Sequence, residues 1–117
     1  MLRHVENCPF CRIASGESHA KLLFTDDEVV VFYDIAPKAP VHLLVIPRRH
    51  VASLAEATTQ DAGLLGKLLL AAAEAARRTG ILDGFRVVTN TGPHAGQSVF
   101  HLHLHVLGGR HLAWPPG

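Results

Sequence analysis

The sequence contains little charge, few cysteines and no long uninterrupted apolar run. Its 11 Lys and Arg residues nearly balance 10 Asp and Glu residues, for a formal net charge of +1. Without a basic stripe, this balance argues against a nucleic-acid partner. The N-terminal MLRHVENCPF has no apolar segment of signal-peptide length, and the apolar stretch LLGKLLLAAAEAA is too short to cross a bilayer. We therefore expect a cytoplasmic protein with no membrane partner.

The cysteine content is equally limited. Cys8 and Cys11 are the only two cysteines, and they lie three positions apart in the sequence CPFC. This spacing is typical of a metal site or a redox pair and is unusual for a structural disulfide. Two free thiols are a further alternative that the spacing leaves open.

Apolar residues and histidines are what the sequence has in abundance. Apolar residues make up 48% of the chain, and nine of its 117 residues are histidine. A chain of this size and composition buries enough surface to fold as one domain, over residues 1–117, without disulfides. The histidine content is far above background, so it is the feature that a functional interpretation has to explain.

Five short segments are rich in β-forming residues and are bounded by turn residues. The predicted strands are 22–25, 29–34, 41–46, 85–91 and 100–108. A short helix is predicted over 8–16, with Asn7 as its N-cap and Gly16 at its end. Because strands outnumber helices and most connections are short, we expect an α+β domain with helices packed on an antiparallel sheet.

The segment 58–79 has the strongest helical pattern. Thr58 and Asp61 have capping-box spacing at its start. Its apolar face is predicted to comprise Leu64, Leu65, Leu68, Leu69, Ala72, Ala75 and Ala76. Gly63 and Gly66 each destabilise a helix interior by about 1 kcal/mol relative to alanine, which suggests close packing at both positions.

The sequence FHLHLHVLGG carries His101, His103 and His105 at two-residue spacing. On a strand, side chains at this spacing share one face, and the alternating apolar residues share the opposite face, where they can pack under the long helix. Those apolar residues are Phe100, Leu102, Leu104 and Val106. Three interpretations fit the histidine face: a solvent-exposed polar surface, a zinc site on a strand, and a site in which one imidazole attacks phosphorus.

The sequence HLHLHVL resembles the His-φ-His-φ-His-φ-φ signature of the histidine triad (HIT) family. The segments YDIAPKAPVHLLVIPRRH (33–50) and NTGPHAGQSVFHLHLHVLGGR (90–110) are similar to the family's nucleoside-binding and active-site segments. The ending WPPG is similar to that of the HINT branch, the purine nucleoside phosphoramidases. The resemblance implies the HIT fold, an antiparallel sheet of about five strands with one long and one short helix. It also implies that the sheet extends across a two-fold homodimer.

The activity implied by the resemblance is cleavage of the P–N bond of purine nucleoside 5′-phosphoramidates through a nucleotidyl-histidine intermediate. His103 matches the nucleophile, and His105 matches a donor to a phosphoryl oxygen. Ser98 matches a residue beside the leaving group, and His42 matches a fourth histidine that orients the others. Without the resemblance, a packed core histidine is the favoured interpretation of His42. Two alternatives are a dinucleoside polyphosphate hydrolase and a non-catalytic nucleotide-binding adaptor.

The resemblance also implies a nucleotide-binding set with an AMP or GMP moiety as ligand. Its members are Asp34 and Ile35 for the nucleoside, Asn90, Gly96, Gln97 and Ser98 for the phosphate, His103 and His105, and Trp114. The sequence alone allows a simpler role for two of them. Asp34 suits a turn, and Trp114 suits an anchor for the C-terminus, although the resemblance implies that Trp114 borders the partner's active site.

A structural zinc site is the cofactor that the resemblance implies, and it implies no organic cofactor. His50 and His101 match the two ligands that would complete a Cys₂His₂ site with Cys8 and Cys11. In that case His101 serves the metal while His103 and His105 serve phosphate chemistry. No role is assigned to the remaining histidines, which are His4, His19, His94 and His111.

Overall fold

Five strands form one antiparallel sheet in the computed structural model, which describes residues 3–117. The strands are β1 (Leu22–Thr25), β2 (Val29–Tyr33), β3 (Val41–Pro47), β4 (Phe85–Val88) and β5 (Leu104–Gly108), in the spatial order β1-β2-β3-β5-β4. The helices are α1 (Pro9–Ser15) and α2 (Ala62–Arg78), and single 3₁₀ turns span Leu54–Glu56, Thr59–Asp61 and Pro93–Ala95. This architecture confirms the predicted α+β class, with one long and one short helix.

The two helices cover opposite faces of the sheet. Alternation along β3 sends Leu43 and Val45 into the core beneath α2, and it sends Leu44 and Ile46 into a second core beside α1. β5 alternates in the same way, with Leu104 and Val106 buried on the α2 side. The intervening histidines therefore lie on the side of the sheet that carries α1. Among the described residues, no helix is long and apolar enough to cross a membrane.

The last strand is shorter than predicted. Pairing of β5 with β3 begins at Leu104, whereas the sequence pattern placed the start at Phe100. The backbone N–H of Leu102 instead donates to the carbonyl of Val51, in the loop after β3, at 2.6 Å. Phe100 lies in a bend with 49% of its surface exposed, so the prediction that it packs under the long helix is wrong. β4 also stops earlier than predicted, at Val88, which pairs with His105.

Both helix starts differ in detail from the predictions. The side chain that caps α1 is Cys8 rather than Asn7: its Sγ accepts from the N–H of Cys11 at 3.3 Å. Gly16 ends α1 as predicted, in a left-handed conformation with φ of 85°. The capping box of Thr58 is present, but it closes a 3₁₀ turn, and α2 proper begins at Ala62.

Helix α2 presents a slightly different face from the one predicted. Leu69 is exposed, and Ala71 takes its place in the buried set. Gly63 and Gly66 are not close-packed, because a Cβ added at either position would meet nothing within 4 Å. The close packing expected from these glycines is therefore wrong, and both residues leave the helix weaker than alanine would.

Candidate functional site

The register of β3 and β5 arranges the candidate residues in a row on one face of the sheet. Leu44 pairs with His105 and His42 pairs with Leu107, so His42 and His105 are diagonal neighbours at one end of this strand pair. At the other end, the ring of His101 reaches the carbonyl of Pro47, the last residue of β3. His103 lies between these two ends.

Cys8, Cys11, His50 and His101 converge in a buried cluster at the Pro47 end. Their ligand atoms all lie within 4.8 Å of one another. Nδ1 of His101 is 3.3 Å from Sγ of Cys8, and Nδ1 of His50 is 3.3 Å from Sγ of Cys11. Two thiols and two imidazoles are a donor set that suits a tetrahedral metal site. The cluster could therefore hold a metal ion.

Backbone contacts prepare these side chains for a metal. Nε2 of His101 lies 2.8 Å from the carbonyl oxygen of Pro47, which can only accept, so Nε2 carries the proton and Nδ1 presents its lone pair to the thiols. Burial lowers the pKa of His101 to about 4 and also lowers the pKa of His50, which keeps both rings neutral at pH 7. Burial raises the pKa of the Cys11 thiol.

His103 is held by the opposite ring nitrogen. Its Nδ1 lies 2.7 Å from the carbonyl oxygen of His101, so Nδ1 donates and the neutral ring has its lone pair on Nε2. In the described part of the chain, no residue is hydrogen-bonded to this Nε2. The ring of Phe10 packs perpendicular to that of His103, with 5.0 Å between centroids, and fixes its plane.

A chain of hydrogen bonds fixes the protons of His42 and His105. The N–H of Lys38 donates to Nδ1 of His42 at 3.0 Å, which places the proton of His42 on Nε2. That Nε2 lies 2.9 Å from Nδ1 of His105 and 3.3 Å from Oδ2 of Asp34. With its Nδ1 accepting, neutral His105 carries its proton on Nε2 and can donate to a bound anion.

Desolvation keeps this pair of imidazoles neutral. The pKa of His105 is lowered to about 4, mainly by burial and then by the neighbouring His103 and His42, while Asp34 acts in the opposite direction. Burial also lowers the pKa of His42, and here too Asp34 opposes the shift. Both histidines are therefore hydrogen-bond donors and acceptors at neutral pH rather than fixed positive charges.

Asp34, His42 and His105 are also close enough together to be considered as metal ligands. The proton positions argue against this use. A metal would need the lone pair of His42 Nε2, yet the N–H of Lys38 requires that lone pair to be on Nδ1. This group is better described as a hydrogen-bonded network.

The imidazoles of His103 and His105 open into a groove of about 370 Å³. Apolar side chains such as Phe10, Ile13, Phe32 and Leu44 form much of its wall, and Asp34, Ile35 and Ser98 also line it. Ile35 has 98% of its surface exposed, and its neighbour Asp34 accepts from the N–H of Ala36 at 2.8 Å. The structure thus places Asp34 in a turn and in the groove at once.

The loop before β5 is held by hydrogen bonds within it and by one to the segment after β3. Gln97 is buried, accepts from the N–H of Gly92 at 2.8 Å and donates to the carbonyls of Ala52 and Val99. Asn90 donates to the carbonyl of Ala95 at 2.7 Å. Gln97, predicted to contact the nucleotide, therefore uses its side-chain amide to hold this loop together and to attach it to the segment after β3.

Gly96 follows the 3₁₀ turn Pro93–Ala95 with φ of 87°, a conformation that favours glycine. It lies beside the side chain of Asn90, whose Nδ2 would be 4.0 Å from an added Cβ. His94, to which no role was assigned, is exposed on that turn.

Trp114 does not reach the groove of its own chain. It is 81% exposed and lies in a hollow of about 440 Å³ along β4, beside Arg86 and Thr89. The guanidinium of Arg86 donates to the carbonyls of Leu112 and Ala113, which attaches the tail to this edge of the sheet.

The sequence interpretation missed several contributors to the site, two of which bear on its histidines or its polar lining. Phe10 lines the groove and packs against His103, and the only signal for it was its position between the two cysteines. His19 also lines the groove, although no role was assigned to it. The backbone groups of Lys38 and Pro47 could not have been identified, because their roles depend on the tertiary arrangement.

Comparison with known proteins gives a consistent result. The HIT domain profile matches residues 15–112. An uncharacterized HIT-like protein from Synechococcus elongatus is 50% identical over 112 residues, covering 96% of this chain and 98% of that protein. A HIT family hydrolase from Legionella pneumophila has a crystal structure with a TM-score of 0.93 at 45% identity, covering 95% of this chain and 100% of that chain. A histidine triad protein from Clostridium difficile gives a TM-score of 0.91 at 36% identity, covering 94% and 96%. This chain, with its row of histidines on the HIT fold, belongs to the HIT domain family.

Proposed function

We propose that this protein is a hydrolase of the HINT branch, which cleaves the P–N bond of purine nucleoside 5′-phosphoramidates and releases AMP or GMP. The observation that carries the proposal is the lone pair of His103 Nε2, held toward an open groove by the 2.7 Å contact between Nδ1 and the carbonyl of His101. A neutral imidazole in this tautomer is a competent nucleophile at pH 7 without further deprotonation.

In the first step, Nε2 of His103 attacks the α-phosphorus of the substrate. A bond forms between Nε2 and phosphorus, the bond between phosphorus and the amine nitrogen breaks, and the amine leaves with a proton taken up from solvent. His105 donates from Nε2 to a phosphoryl oxygen and stabilises the charge that develops there. Ser98, which lines the groove and is exposed, lies on the leaving-group side.

In the second step, water attacks the nucleotidyl-histidine. The bond between Nε2 and phosphorus breaks, the nucleoside monophosphate is released, and His103 regains its lone pair. The water returns one proton to solvent, which balances the proton taken up by the amine. The sum of the two steps is phosphoramidate plus water giving nucleoside monophosphate plus amine. The network of Lys38, His42 and His105 is unchanged at the end of the cycle, so the donor is ready for another turnover.

We assign recognition of the nucleoside to the Asp34 end of the groove. One oxygen of Asp34 accepts from the N–H of Ala36, and the carboxylate retains lone pairs for ribose hydroxyls. Exposed Ile35 offers an apolar surface to the base. The loop that contains Asn90, Gly96 and Gln97 would shape the phosphate side of the site.

The Cys₂His₂ cluster would hold zinc as a structural ion. All four positions of a tetrahedral site would be filled by protein ligands, which leaves no open position for substrate. Zinc bound there would supply a cross-link between α1, the loop after β3 and the segment before β5. We assign it no step in the reaction.

A homodimer would complete the molecule. β4 is an edge strand of the sheet, so its outer backbone groups are available for pairing with a second copy. Leu69 and Leu70 of α2 are 57% and 72% exposed, as apolar residues are at an interface. The tail with Trp114 runs along the same edge, from which it could reach the partner's groove.

The proposal is tested by steady-state hydrolysis of an adenosine 5′-phosphoramidate with a fluorescent amine. We expect His103→Ala to lower kcat by at least about a thousandfold, because the covalent route is lost. AMP should still bind to the variant. His94→Ala replaces an exposed histidine outside the groove and serves as the matched control, with unchanged turnover.

Two outcomes would contradict this function. Near-zero rates in both the wild type and His103→Ala, with tight AMP binding to both, would indicate a nucleotide-binding adaptor. Much faster cleavage of a diadenosine polyphosphate than of the phosphoramidate by the wild type would indicate a dinucleoside polyphosphate hydrolase.

A further inference from the structure

A second hollow lies beyond the groove, at the end of the strand pair where the Cys/His cluster lies. Its volume is about 390 Å³, and its lining includes Val5, Val99 and Phe100 together with Cys8 and His50 of the cluster. The register of β3 and β5 puts Asp34 and His42 at one end of the row and His101 at the other. The hollow therefore lies on the far side of His103 from the proposed nucleoside end.

The groove and the hollow share part of their walls. Pro9, Ser98 and Val99 line both of them. A substrate with its nucleoside near Asp34 and its phosphorus at His103 would therefore direct its remaining substituent across Ser98. In a phosphoramidate, that substituent is the amine.

The residues that line the hollow favour apolar groups over charged ones. Val5, Pro9, Val99 and Phe100 give it an apolar wall, and among the described residues that line it there is no Asp, Glu, Lys or Arg. Phe100 keeps 49% of its surface exposed here, although its place in the alternating segment predicted burial under α2. An exposed aromatic ring beside an active-site serine provides a surface on which another apolar group can pack. A carboxylate placed in this hollow would find no Lys or Arg side chain in its lining to compensate it.

We propose that this hollow is the leaving-group subsite and that it selects primary amines with an apolar, preferably aromatic, side chain over amines that carry a carboxylate. The inference rests on the proposed phosphoramidate hydrolysis and extends it to the class of amine. Phe100 is then a specificity-determining residue, which contacts the departing amine and takes no part in bond breaking.

The test compares two adenosine 5′-phosphoramidates, one of 2-phenylethylamine and one of methylamine, with the zinc-supplemented protein of residues 1–117. We expect the wild type to favour the phenylethyl substrate in kcat/KM. Phe100→Ala should reduce that preference about fivefold, the value of one aromatic contact, and should leave kcat/KM for the methyl substrate unchanged. Leu82→Ala is the matched control, because it removes a half-exposed apolar side chain that lines neither cavity.

A second variant tests the charge argument independently. Asn7 is exposed at the margin of the hollow. Asn7→Lys should raise kcat/KM for the phosphoramidate of phenylalanine, which carries a carboxylate, relative to that of phenylethylamine. Melting curves of both variants should match that of the wild type.

The outcomes separate this inference from the function beneath it. If both substrates are hydrolysed and neither Phe100→Ala nor Asn7→Lys changes the preference, the subsite is wrong and the hydrolase stands. If Trp114→Ala removes the preference while Phe100→Ala preserves it, the C-terminal tail selects the amine and the hollow does not. If the wild type hydrolyses neither substrate, the proposed function fails and the subsite fails with it.

Discussion

The Cys/His cluster and the groove draw on histidines only two residues apart, yet these histidines are prepared for opposite tasks. Nε2 of His101 donates to the carbonyl of Pro47, so the lone pair of Nδ1 faces two thiols. Nδ1 of His103 donates to the carbonyl of His101, so the lone pair of Nε2 faces the groove. In the proposed function, the difference between His101 as metal ligand and His103 as nucleophile therefore depends on which ring nitrogen donates to a backbone carbonyl.

The two regions also differ in how far their side chains are shielded from solvent. Each side chain of the cluster directs a potential metal-binding atom toward a common centre, and all four residues are buried. The imidazoles of His103 and His105 instead border the open groove. A closed donor set suits a structural ion, and an open one suits a reaction. His101 connects the two regions, because its carbonyl accepts from the ring of His103, the proposed nucleophile, while its own ring faces the cluster.

We expect the largest change in stability when the metal is removed from the Cys/His cluster. We expect Cys11→Ser to lose its bound zinc and about 4 kcal/mol of folding free energy, the linkage expected for an ion present far above its dissociation constant. That loss lowers Tm by about 15 °C for a domain of this size. Mass spectrometry for zinc and a melting curve measure both.

The control for this prediction is chelation of the wild type, which should lower Tm to a similar value. A protein prepared without chelator that contains no zinc, or a Cys11→Ser variant that melts with the wild type, would contradict the metal assignment. In that case the redox pair and the two free thiols become the alternatives to test.

His42→Ala should affect the groove and leave the cluster intact. The change removes the acceptor for the Lys38 N–H and the donor to Nδ1 of His105, so the proton of His105 is no longer held on Nε2. We expect kcat to fall about a hundredfold, as for the loss of one donor to a developing oxyanion, with KM little changed. Nitrogen NMR of His105 reports the tautomer directly, and unchanged zinc content is the control. A large rise in KM with normal kcat would show that His42 acts in binding instead.

Acidification should weaken the fold through the buried imidazoles. Because burial holds the pKa of His105 at about 4, against an ordinary value near 6.5, the unfolded chain takes up protons first as pH falls below 6.5. Stability attributable to His105 therefore declines between pH 6.5 and 4 and is constant below that, with a loss of about 2 kcal/mol by pH 5. Denaturant titrations at several pH values measure this slope, and His105→Gln should flatten it. Equal slopes in the two proteins would show that His105 is not the group responsible.

The smallest predicted effect lies on the opposite face of the sheet. Gly63→Ala and Gly66→Ala should each stabilise α2 by about 0.5–1 kcal/mol, because alanine favours the helix and an added Cβ meets no atom within 4 Å. Zinc content and kcat should stay at wild-type values, since neither glycine lies near the cluster or the groove. A variant with lower Tm would show that close contacts form at these glycines in solution.

Much of the fold was predictable because its signals are local. Alternation in the segment before Gly108 placed the histidines on one face and Leu104 and Val106 on the other, and the structure agrees. Gly16 ends α1 where the sequence indicates. The errors occur where a longer-range contact overrides the pattern, as when the N–H of Leu102 bonds to Val51 and shortens β5. Leu69 likewise fits the periodicity of α2 but lies outside the core.

The sequence by itself determined which side chains were available: four ligands of the right type, a row of histidines and an aspartate before β3. Residue type and spacing carry this information, because they fix the face of a strand to which a side chain points. Only the tertiary structure decided how each is used. It brought Cys8 and His101 together, committed Gln97 to bracing a loop and exposed Phe100 beside Ser98. The physical reason is that an imidazole presents its lone pair on whichever nitrogen is not donating, and the backbone carbonyl that accepts is positioned by the fold as a whole.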